Sequence, residues 1–312
     1  MSRKKETISD KKALSNLETL LKIPLIKRFG IVGVSKIMSN RAVKFKPDVN
    51  HIYTVESFGS VKCDVITKRN TQRRKVVLYF HLGAFVSGTT DTHREVGELF
   101  LKNSSADTVI IVNYRTSPEY RYPCAHDDAF EVFNEIINRP EYSQSKIFAA
   151  GDSSGGNLAL SLALKARDIG IRTPDALILI SPWVDFTNKG PSYTTNFNSD
   201  PMFGYLCTDK DRELITLYSQ YADKTDIYLS PVYAESFIGM PRMFIVASDN
   251  EMLLDDAVEI KNLADKSGVC AELKLYNNMF HSFLTVTANA ETSKIAWRDI
   301  GDFINNNCRN EE

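Results

Sequence analysis

Cysteine and histidine are scarce in this sequence, which excludes the sites that depend on clusters of them. The 312 residues include five histidines without a pair at ligand spacing, and five cysteines without a Cys-x-x-Cys motif: Cys63, Cys124, Cys207, Cys270 and Cys308. An odd number of widely spaced cysteines is typical of reduced thiols in a cytoplasmic protein rather than of a disulfide framework. We therefore expect a cytoplasmic location, no metal site and no cofactor.

An excess of charge of either sign is also absent. The chain has 38 basic and 39 acidic side chains, which gives a formal net charge of −1 at pH 7. Nucleic acid is not expected as a partner, because binding its phosphates needs a basic surface. Apolar residues make up 43% of the chain and charged residues 25%, as in ordinary globular proteins.

The sequence also lacks a hydrophobic run long enough for a signal peptide or a membrane span. Residues 1–6 are polar, and no apolar stretch follows within signal-peptide distance. The most apolar early stretch, 20–38, is interrupted by Pro24 and by four basic residues. Such a stretch either lies on a membrane surface or covers a pocket, and covering is the commoner arrangement in an enzyme.

The sequence does contain a regular alternation of apolar strands and amphipathic helices. Two strands are predicted within 51–67, and further strands at 75–80, 108–113, 146–150, 176–180, 243–247 and 271–276. Strands that are apolar on both faces are typical of a parallel sheet covered by helices. Helical periodicity is present at 12–21, 256–267 and 293–305. The predicted fold class is α/β, with a mostly parallel, doubly wound sheet.

One segment, 187–226, interrupts this alternation. It is polar, rich in aromatic residues, and lies between two predicted strands. A structureless loop of that length is uncommon inside a compact domain. We therefore expect a helical insertion or lid.

A Gly-x-Ser-x-Gly motif, Gly151-Asp152-Ser153-Ser154-Gly155, lies between a predicted strand and a predicted helix. In this context the motif predicts a serine nucleophile raised on a strained turn. Phosphate-binding loops and ordinary glycine-rich turns share the same pattern. The motif therefore needs a base, an acid and an oxyanion site elsewhere in the chain.

Polar residues at the ends of other predicted strands supply these groups. Asp249 and Glu251 follow the strand at 243–247, and His281 follows the strand at 271–276. Because catalytic groups in open parallel sheets lie just past the carboxyl ends of strands, these residues are expected to meet Ser153. His281 can take the proton of Ser153, and an acid near 251 can orient the imidazole.

The loop after the strand at 75–80, His81-Leu82-Gly83-Ala84, supplies an oxyanion site. The backbone N–H groups of Gly83 and Ala84 can face a developing oxyanion, with the N–H of Ser154 as a third donor. Taken alone, this run also fits an ordinary turn.

From about residue 75 to the last helix, the chain resembles the hormone-sensitive-lipase-like branch of the α/β-hydrolases. That branch carries His-Gly-Gly-Gly and Gly-Asp-Ser-Ala-Gly-Gly, where this sequence has His81-Leu82-Gly83-Ala84 and Gly151-Asp152-Ser153-Ser154-Gly155-Gly156. The segment Tyr114-Arg115-Thr116-Ser117-Pro118-Glu119 is similar to the family's Tyr-Arg-Leu-Ala-Pro-Glu. Ser181-Pro182-Trp183-Val184-Asp185 also matches.

The resemblance implies a role for each candidate residue. Ser153 is the nucleophile and His281 the base, while Arg115, Glu119 and Asp128 hold the loop below the site. Aligning the family's Asp-x-Leu-x-Asp pattern with this sequence puts Glu251 at the acid position, and Asp249 is the alternative acid. Leu82 replaces the first glycine of the oxyanion motif, so it reshapes the loop without removing its donors.

The resemblance also implies how the chain is divided. Residues 1–45 and the insertion at about 187–226 are expected to form a helical cap over the pocket. The α/β-hydrolase catalytic domain is expected to occupy 46–312, interrupted by that insertion. The last strand of the sheet leaves an edge at which a homodimer could form.

The leading functional hypothesis is a serine carboxylesterase that acts on small-molecule esters with short to medium acyl chains. The chain length comes from the resemblance, because a fold does not determine a substrate. One alternative is a hydrolase of lipid esters or lactones that acts near membranes. Another is a non-enzymatic receptor on the same fold, as in the plant gibberellin receptors. Those receptors lack the catalytic histidine, whereas His281 is present here.

Overall fold

The centre of the molecule is one eight-stranded sheet. The computed structural model describes residues 7–41 and 43–306. Its strands are β1 (His51–Phe58), β2 (Val61–Lys68), β3 (Lys75–Phe80), β4 (Thr108–Val112), β5 (Lys146–Asp152), β6 (Ala176–Ile180), β7 (Arg242–Ser248) and β8 (Ala271–Tyr276). They follow the order β1-β2-β4-β3-β5-β6-β7-β8 across the sheet. The pairs β1–β2 and β2–β4 are antiparallel, and all the others are parallel.

Helices connect and cover these strands. Those of the described residues are α1 (Asp10–Leu21), α2 (Pro24–Ser39), α3 (Asp91–Asn103), α4 (Cys124–Asn138), α5 (Ser154–Asp168), α6 (Ser192–Thr195), α7 (Asp209–Thr216), α8 (Leu254–Lys266), α9 (Phe283–Val286) and α10 (Glu291–Asn305). Within 7–41 and 43–306, none of them is both long enough and apolar enough to cross a bilayer.

Each face of the sheet packs against its own set of helices. In β3, Val76 and Leu78 belong to the core shared with α4, α5 and α8. The alternate residues Val77 and Tyr79 belong to the core shared with α3 and α10. Because successive side chains of a strand point to opposite faces, a strand between two helical layers must be apolar throughout. The predicted α/β class with a mostly parallel, doubly wound sheet is confirmed.

The insertion and the N-terminal helices are joined to each other. Residues 187–226 contain α6 and α7, and α2 changes direction at Gly30, where φ is 76°. The Asp211 carboxylate of α7 lies at this break and accepts the N–H of Val32 at 2.9 Å. The Tyr205 hydroxyl of the insertion donates to Glu18 of α1 at 2.5 Å. These two segments therefore form one packed layer.

The serine turn is shorter than the sequence pattern predicts. Strand β5 continues two residues past the predicted end, to Asp152, and α5 begins at Ser154. Ser153 alone therefore turns the chain. The turn is tight because the first turn of α5 packs against β3, and a Cβ at Gly155 would lie 1.9 Å from the carbonyl oxygen of Phe80.

We expect Gly155→Ala to lower the free energy of unfolding by about 3 kcal/mol or more, because the opposing atom is backbone of a central strand and cannot move aside. Denaturant unfolding of the purified protein measures this. Gly88→Ala is the matched control, since its Cβ would lie 3.4 Å from Ser39 Oγ, an ordinary contact. Equal stability of the two variants would contradict the close approach.

Candidate active site

Ser153 occupies a strained position at the start of α5. Its φ is 56° and its ψ is −121°, a conformation that costs a non-glycine residue energy. The backbone N–H of Ser153 donates to the carbonyl of Ile180 at 2.9 Å, which fixes the turn against β6. The 15-residue helix α5 begins at the next residue, so the partial positive charge of the helix N-terminus lies beside Ser153.

Asp152, the residue before the serine, is fully buried. Its carboxylate accepts the Tyr79 hydroxyl at 2.9 Å. Burial raises the pKa of Asp152 to about 6, against the lowering effect of the hydrogen bonds that it accepts. Among the described residues, the Asp152 carboxylate therefore bonds to Tyr79 of β3 and not to the Ser153 hydroxyl.

The loop after β3 presents two buried N–H groups that have no partner among the described residues. Gly83 has φ 143° and Ala84 has φ 53°, and both are buried. The Gly83 carbonyl accepts the N–H groups of Val86 and Ser87, which closes the loop into a tight turn. Among the hydrogen bonds of the described residues, none is donated by the N–H of Gly83 or Ala84. Buried N–H groups are rarely left unpaired, so this loop has the character of an anion site.

A stack of rings supports this loop from below. The imidazole of His81 lies between the rings of His93 and Tyr114, at centroid distances of 4.4 Å on both sides. His81 Nδ1 lies 2.8 Å from the carbonyl oxygen of Leu82. Burial lowers the pKa of His81 to about 4, so the ring is neutral at pH 7 and donates its N–H to that oxygen. No motif in the sequence indicates that His93 stacks on His81.

Glu251 is the acid that contacts His281. Its Oε2 lies 3.2 Å from His281 Nδ1, and both side chains are buried. The other carboxylate oxygen of Glu251 accepts the N–H of Ser248 at 3.1 Å. Asp249, the alternative acid, is used differently. Its Oδ1 accepts the backbone N–H of Asn278 at 2.8 Å and thereby holds the turn after β8.

The other nitrogen of His281 has a neighbour that the sequence pattern did not indicate. His281 Nε2 lies 3.2 Å from the hydroxyl oxygen of Ser282. Among the described residues, no hydrogen bond joins Nε2 to Ser153. Ser282 has a left-handed backbone, with φ 52°, which turns its hydroxyl back toward the ring.

The insertion contributes directly to the site through the loop that carries Glu251. The Asn196 side-chain amide donates to the carbonyl oxygens of Asp249 and Glu251, at 3.0 and 2.9 Å. The Asp200 carboxylate accepts the N–H of Met252 at 3.0 Å. Phe203 packs edge-on against the His281 ring, with centroids 4.5 Å apart. Side chains from the insertion therefore hold both the acid loop and the imidazole.

The Asp200 carboxylate, which accepts the N–H of Met252, is fully buried. Burial raises the pKa of its carboxyl group, and the nearby His281 opposes that change. Sequence reasoning missed Asn196, Asp200 and Phe203 because their partners lie about fifty or more positions further along the chain. No local spacing rule connects residues so far apart.

Arg115, Glu119 and Asp128 were expected to hold the loop below the site together. They belong to two separate ion pairs. Arg115 forms an ion pair with Asp128 at 2.6 Å, and its backbone N–H donates to the same carboxylate. Glu119 does not join this pair. Its carboxylate binds Lys36 of α2 at 2.7 Å, and Lys36 also donates to the carbonyl of Ser117. The loop below the site is thus tied to the N-terminal helices.

A sequence profile described as the alpha/beta hydrolase fold matches residues 77–285 of this chain. An esterase of Acinetobacter venetianus is 29% identical over 237 residues, which cover 76% of each chain. A protein of Mycobacterium tuberculosis named carboxylesterase/phospholipase LipF is 32% identical over 238 residues, which cover 74% of this chain and 61% of its own length.

Among solved structures, the hormone-sensitive-lipase homolog EstE7 from a metagenome library superposes with a TM-score of 0.81 at 28% identity. The superposition covers 96% of this chain and 98% of EstE7. The chain therefore belongs to the α/β-hydrolase fold family, in agreement with the predicted fold class. Within that family it is a carboxylic ester hydrolase of the hormone-sensitive-lipase branch.

We expect Asn196→Ala to lower kcat for a soluble p-nitrophenyl ester about tenfold with little change in KM, because a loosened acid loop misplaces the imidazole. Steady-state kinetics measure the effect. The control is Asn262→Ala, which removes an exposed amide from α8. If kcat is unchanged while the unfolding free energy of Asn196→Ala falls, the amide supports the fold and not the site.

Proposed function

We propose that this ester hydrolase acts through a covalent acyl-enzyme, with Ser153 as nucleophile, His281 as general base and Glu251 as the acid that orients the imidazole. The observation that carries the proposal is the Glu251–His281 contact at the carboxyl edge of the sheet that also presents the strained Ser153 turn. A nucleophile, a base and an orienting acid on separate strand ends are the parts that acyl transfer needs.

In the first half of the reaction, Ser153 Oγ attacks the ester carbonyl and its proton passes to His281 Nε2. The negative charge on the tetrahedral oxygen is stabilised by the N–H groups of Gly83, Ala84 and Ser154. The N–H groups of Gly83 and Ala84 have no partner among the described residues, which supports the assignment of these two donors. His281 then gives the proton to the leaving alcohol, and the acyl group remains on Ser153.

In the second half, His281 takes a proton from water, and the resulting hydroxide attacks the acyl-enzyme carbonyl. As this second intermediate collapses, His281 gives its proton to Ser153 Oγ, which releases the acid and restores the Ser153 hydroxyl. Glu251 stabilises the imidazolium in both halves and holds the tautomer with the proton on Nδ1. Catalytic hydrogen bonds often tighten only when substrate is bound. We infer that Nε2 leaves the Ser282 hydroxyl for Ser153 at that stage.

We propose uncharged small-molecule esters with short to medium acyl chains as substrates. The cap in this proposal consists of residues 1–45 and the insertion at about 187–226, over a catalytic domain of 46–312; of these, residues 1–6, 42 and 307–312 lie outside the described residues. The contact of Phe203 with His281 supports this cap, because the contact places an apolar ring of the insertion beside the imidazole. The name of the M. tuberculosis relative, carboxylesterase/phospholipase, favours lipid esters as the second candidate class. A gibberellin receptor of Oryza sativa is 36% identical, but over only 111 residues that cover 33% of this chain, so a receptor without activity is not proposed.

Two further proposals concern the state of the protein. The four cysteines of the described residues, Cys63, Cys124, Cys207 and Cys270, are free thiols, which supports a cytoplasmic location. Strand β8 forms one edge of the sheet and leaves Leu275 45% exposed, which supports a homodimer through that edge.

Activity on p-nitrophenyl esters of increasing acyl length tests the nucleophile. We expect Ser153→Ala to lower kcat by about 10⁴-fold or more on every ester, because the acyl-enzyme can no longer form. The wild type is expected to favour the shorter esters. A wild type no faster than Ser153→Ala on the whole series would contradict the proposal.

The acid is tested by a pair of isosteric substitutions. We expect Glu251→Gln to lower kcat by about 10²- to 10⁴-fold, because a neutral amide cannot stabilise the imidazolium. Asp249→Asn is the matched control, since its side-chain oxygen can still accept the N–H of Asn278. A larger loss in Asp249→Asn than in Glu251→Gln would assign the acid to Asp249.

A further inference from the structure

The segment 19–47, which contains α2, carries a positive charge that the rest of the molecule does not. Residues 19–47 contain no acidic side chain and seven basic ones: Lys22, Lys27, Arg28, Lys36, Arg41, Lys44 and Lys46. The whole chain has a formal net charge of −1, so the residues outside this segment together carry −8, the difference between −1 and +7. A basic segment on an otherwise acidic protein creates a local positive field that attracts anionic surfaces.

Large apolar side chains are exposed in the same segment. Sixteen large hydrophobic side chains are exposed in the part of the chain that the structure describes, and six of them fall between positions 20 and 43. Three of the six lie where α1 ends and α2 begins: Leu20 at 43%, Ile23 at 43% and Leu25 at 53% exposure. Single exposed apolar residues are normal for a protein surface, whereas neighbouring ones call for an explanation.

The apolar side chains and the basic ones form a single small surface at this junction. We call it the junction patch, and its members are Leu20, Lys22, Ile23, Leu25, Lys27 and Arg28. All six are exposed. The patch is helical and compact, because the N–H of Ile23 donates to the carbonyl of Leu20, and the N–H of Lys27 donates to that of Ile23.

The opposite side of the junction is fixed to the protein. Leu17, Leu21 and Ile26 are buried in the core on that side. The bonds of Glu18 to Tyr205 and of Val32 to Asp211 add polar attachments to the insertion. The exposed side chains are therefore held outward by a folded scaffold and do not belong to a loose tail.

The basic side chains of the patch have no acidic partner among the described residues, although the Arg28 guanidinium lies 5.1 Å from the centre of the Phe29 ring. Within the described residues, no carboxylate pairs with Lys22, Lys27 or Arg28, whereas Lys36 on the same helix pairs with Glu119. The side chains of long basic residues place their charge at the level of lipid phosphates when neighbouring apolar groups enter the membrane boundary. Three cations around three apolar side chains are suited to that arrangement.

A second copy of the chain fits this surface less well. A symmetric dimer through the junction patch would bring the same three cations of each copy face to face, since a two-fold interface pairs a surface with itself. Like charges so placed oppose association. An anionic lipid surface instead complements the cations and accepts the apolar side chains.

We propose that the junction patch docks the protein on an anionic membrane surface. Leu20, Ile23 and Leu25 enter the boundary between headgroups and acyl chains, and the three cations lie against lipid phosphates. The docking goes beyond the proposed ester hydrolysis and does not depend on it. It would place a cap of this protein at a membrane face, where esters that partition into lipid are concentrated.

Co-sedimentation of the full-length protein with vesicles tests the proposal. The vesicles are of phosphatidylcholine alone and of phosphatidylcholine mixed with phosphatidylglycerol. We expect binding to the mixed vesicles only, and a bound fraction that falls as salt is added, because salt screens exposed charges. Ser153→Ala is expected to bind like the wild type, which separates docking from hydrolysis.

Two triple variants remove the two kinds of contact. We expect Lys22→Ser/Lys27→Ser/Arg28→Ser and Leu20→Ser/Ile23→Ser/Leu25→Ser each to weaken binding about tenfold or more. The matched controls alter exposed residues elsewhere and are expected to bind like the wild type: Lys62→Ser/Lys189→Ser/Lys266→Ser and Val55→Ser/Ile169→Ser/Ile238→Ser. The basic variant keeps the test decisive even if the apolar one folds poorly, because Lys22, Lys27 and Arg28 are all exposed. Circular dichroism and thermal unfolding check that each variant is folded.

Three results would overturn the proposal. The first is a wild type that does not pellet with the mixed vesicles at low salt. The second is a basic triple variant that binds as tightly as its control. The third is a dimer in sedimentation equilibrium that the junction substitutions dissociate, with no vesicle binding, which would assign the patch to a second copy.

Discussion

The close approach of α5 to β3 is the constraint on which the site depends. With a Cβ at position 155 only 1.9 Å from the Phe80 carbonyl, the first turn of the helix can pack on the strand only through glycine. This packing leaves one residue, Ser153, to connect β5 to α5, and it forces φ to 56° there. The strain is stored where the fold places a hydroxyl beside the positive end of a helix, so the backbone prepares the serine before any substrate arrives.

The other groups lie at the edge of the sheet that presents Ser153, because parallel strands end at a common edge. The loop after β3 brings unpaired N–H groups, and the turns after β7 and β8 bring the Glu251–His281 pair. The insertion completes this arrangement from above. Asn196 and Asp200 bind the backbone of the acid loop, and Phe203 packs on the imidazole. The insertion thus binds the loop that carries Glu251 and also contacts the imidazole, so the insertion and the carboxyl edge of the sheet are packed together.

The sequence was sufficient for the parts whose signals are local. Apolar runs predicted the strands, and the strand–turn–helix context of Ser153 predicted the turn, because these depend on near neighbours. The motif that favoured Glu251 over Asp249 agrees with the contact to His281. Partners distant along the chain were missed. Glu119 binds Lys36, more than eighty positions earlier, and Phe203 packs on His281, almost eighty positions later. Such contacts follow from the folded arrangement and leave no spacing in the sequence.

The central claim is that Ser153 forms a covalent bond to the acyl group. Labelling of the native protein with a fluorophosphonate, followed by peptide mass spectrometry, tests it most directly, because the reagent traps only a serine activated as a nucleophile. We expect one adduct, on the peptide that contains Ser153, and no adduct after heat denaturation. An adduct on another residue, or full esterase activity with Ser153 unlabelled by the reagent, would contradict the account.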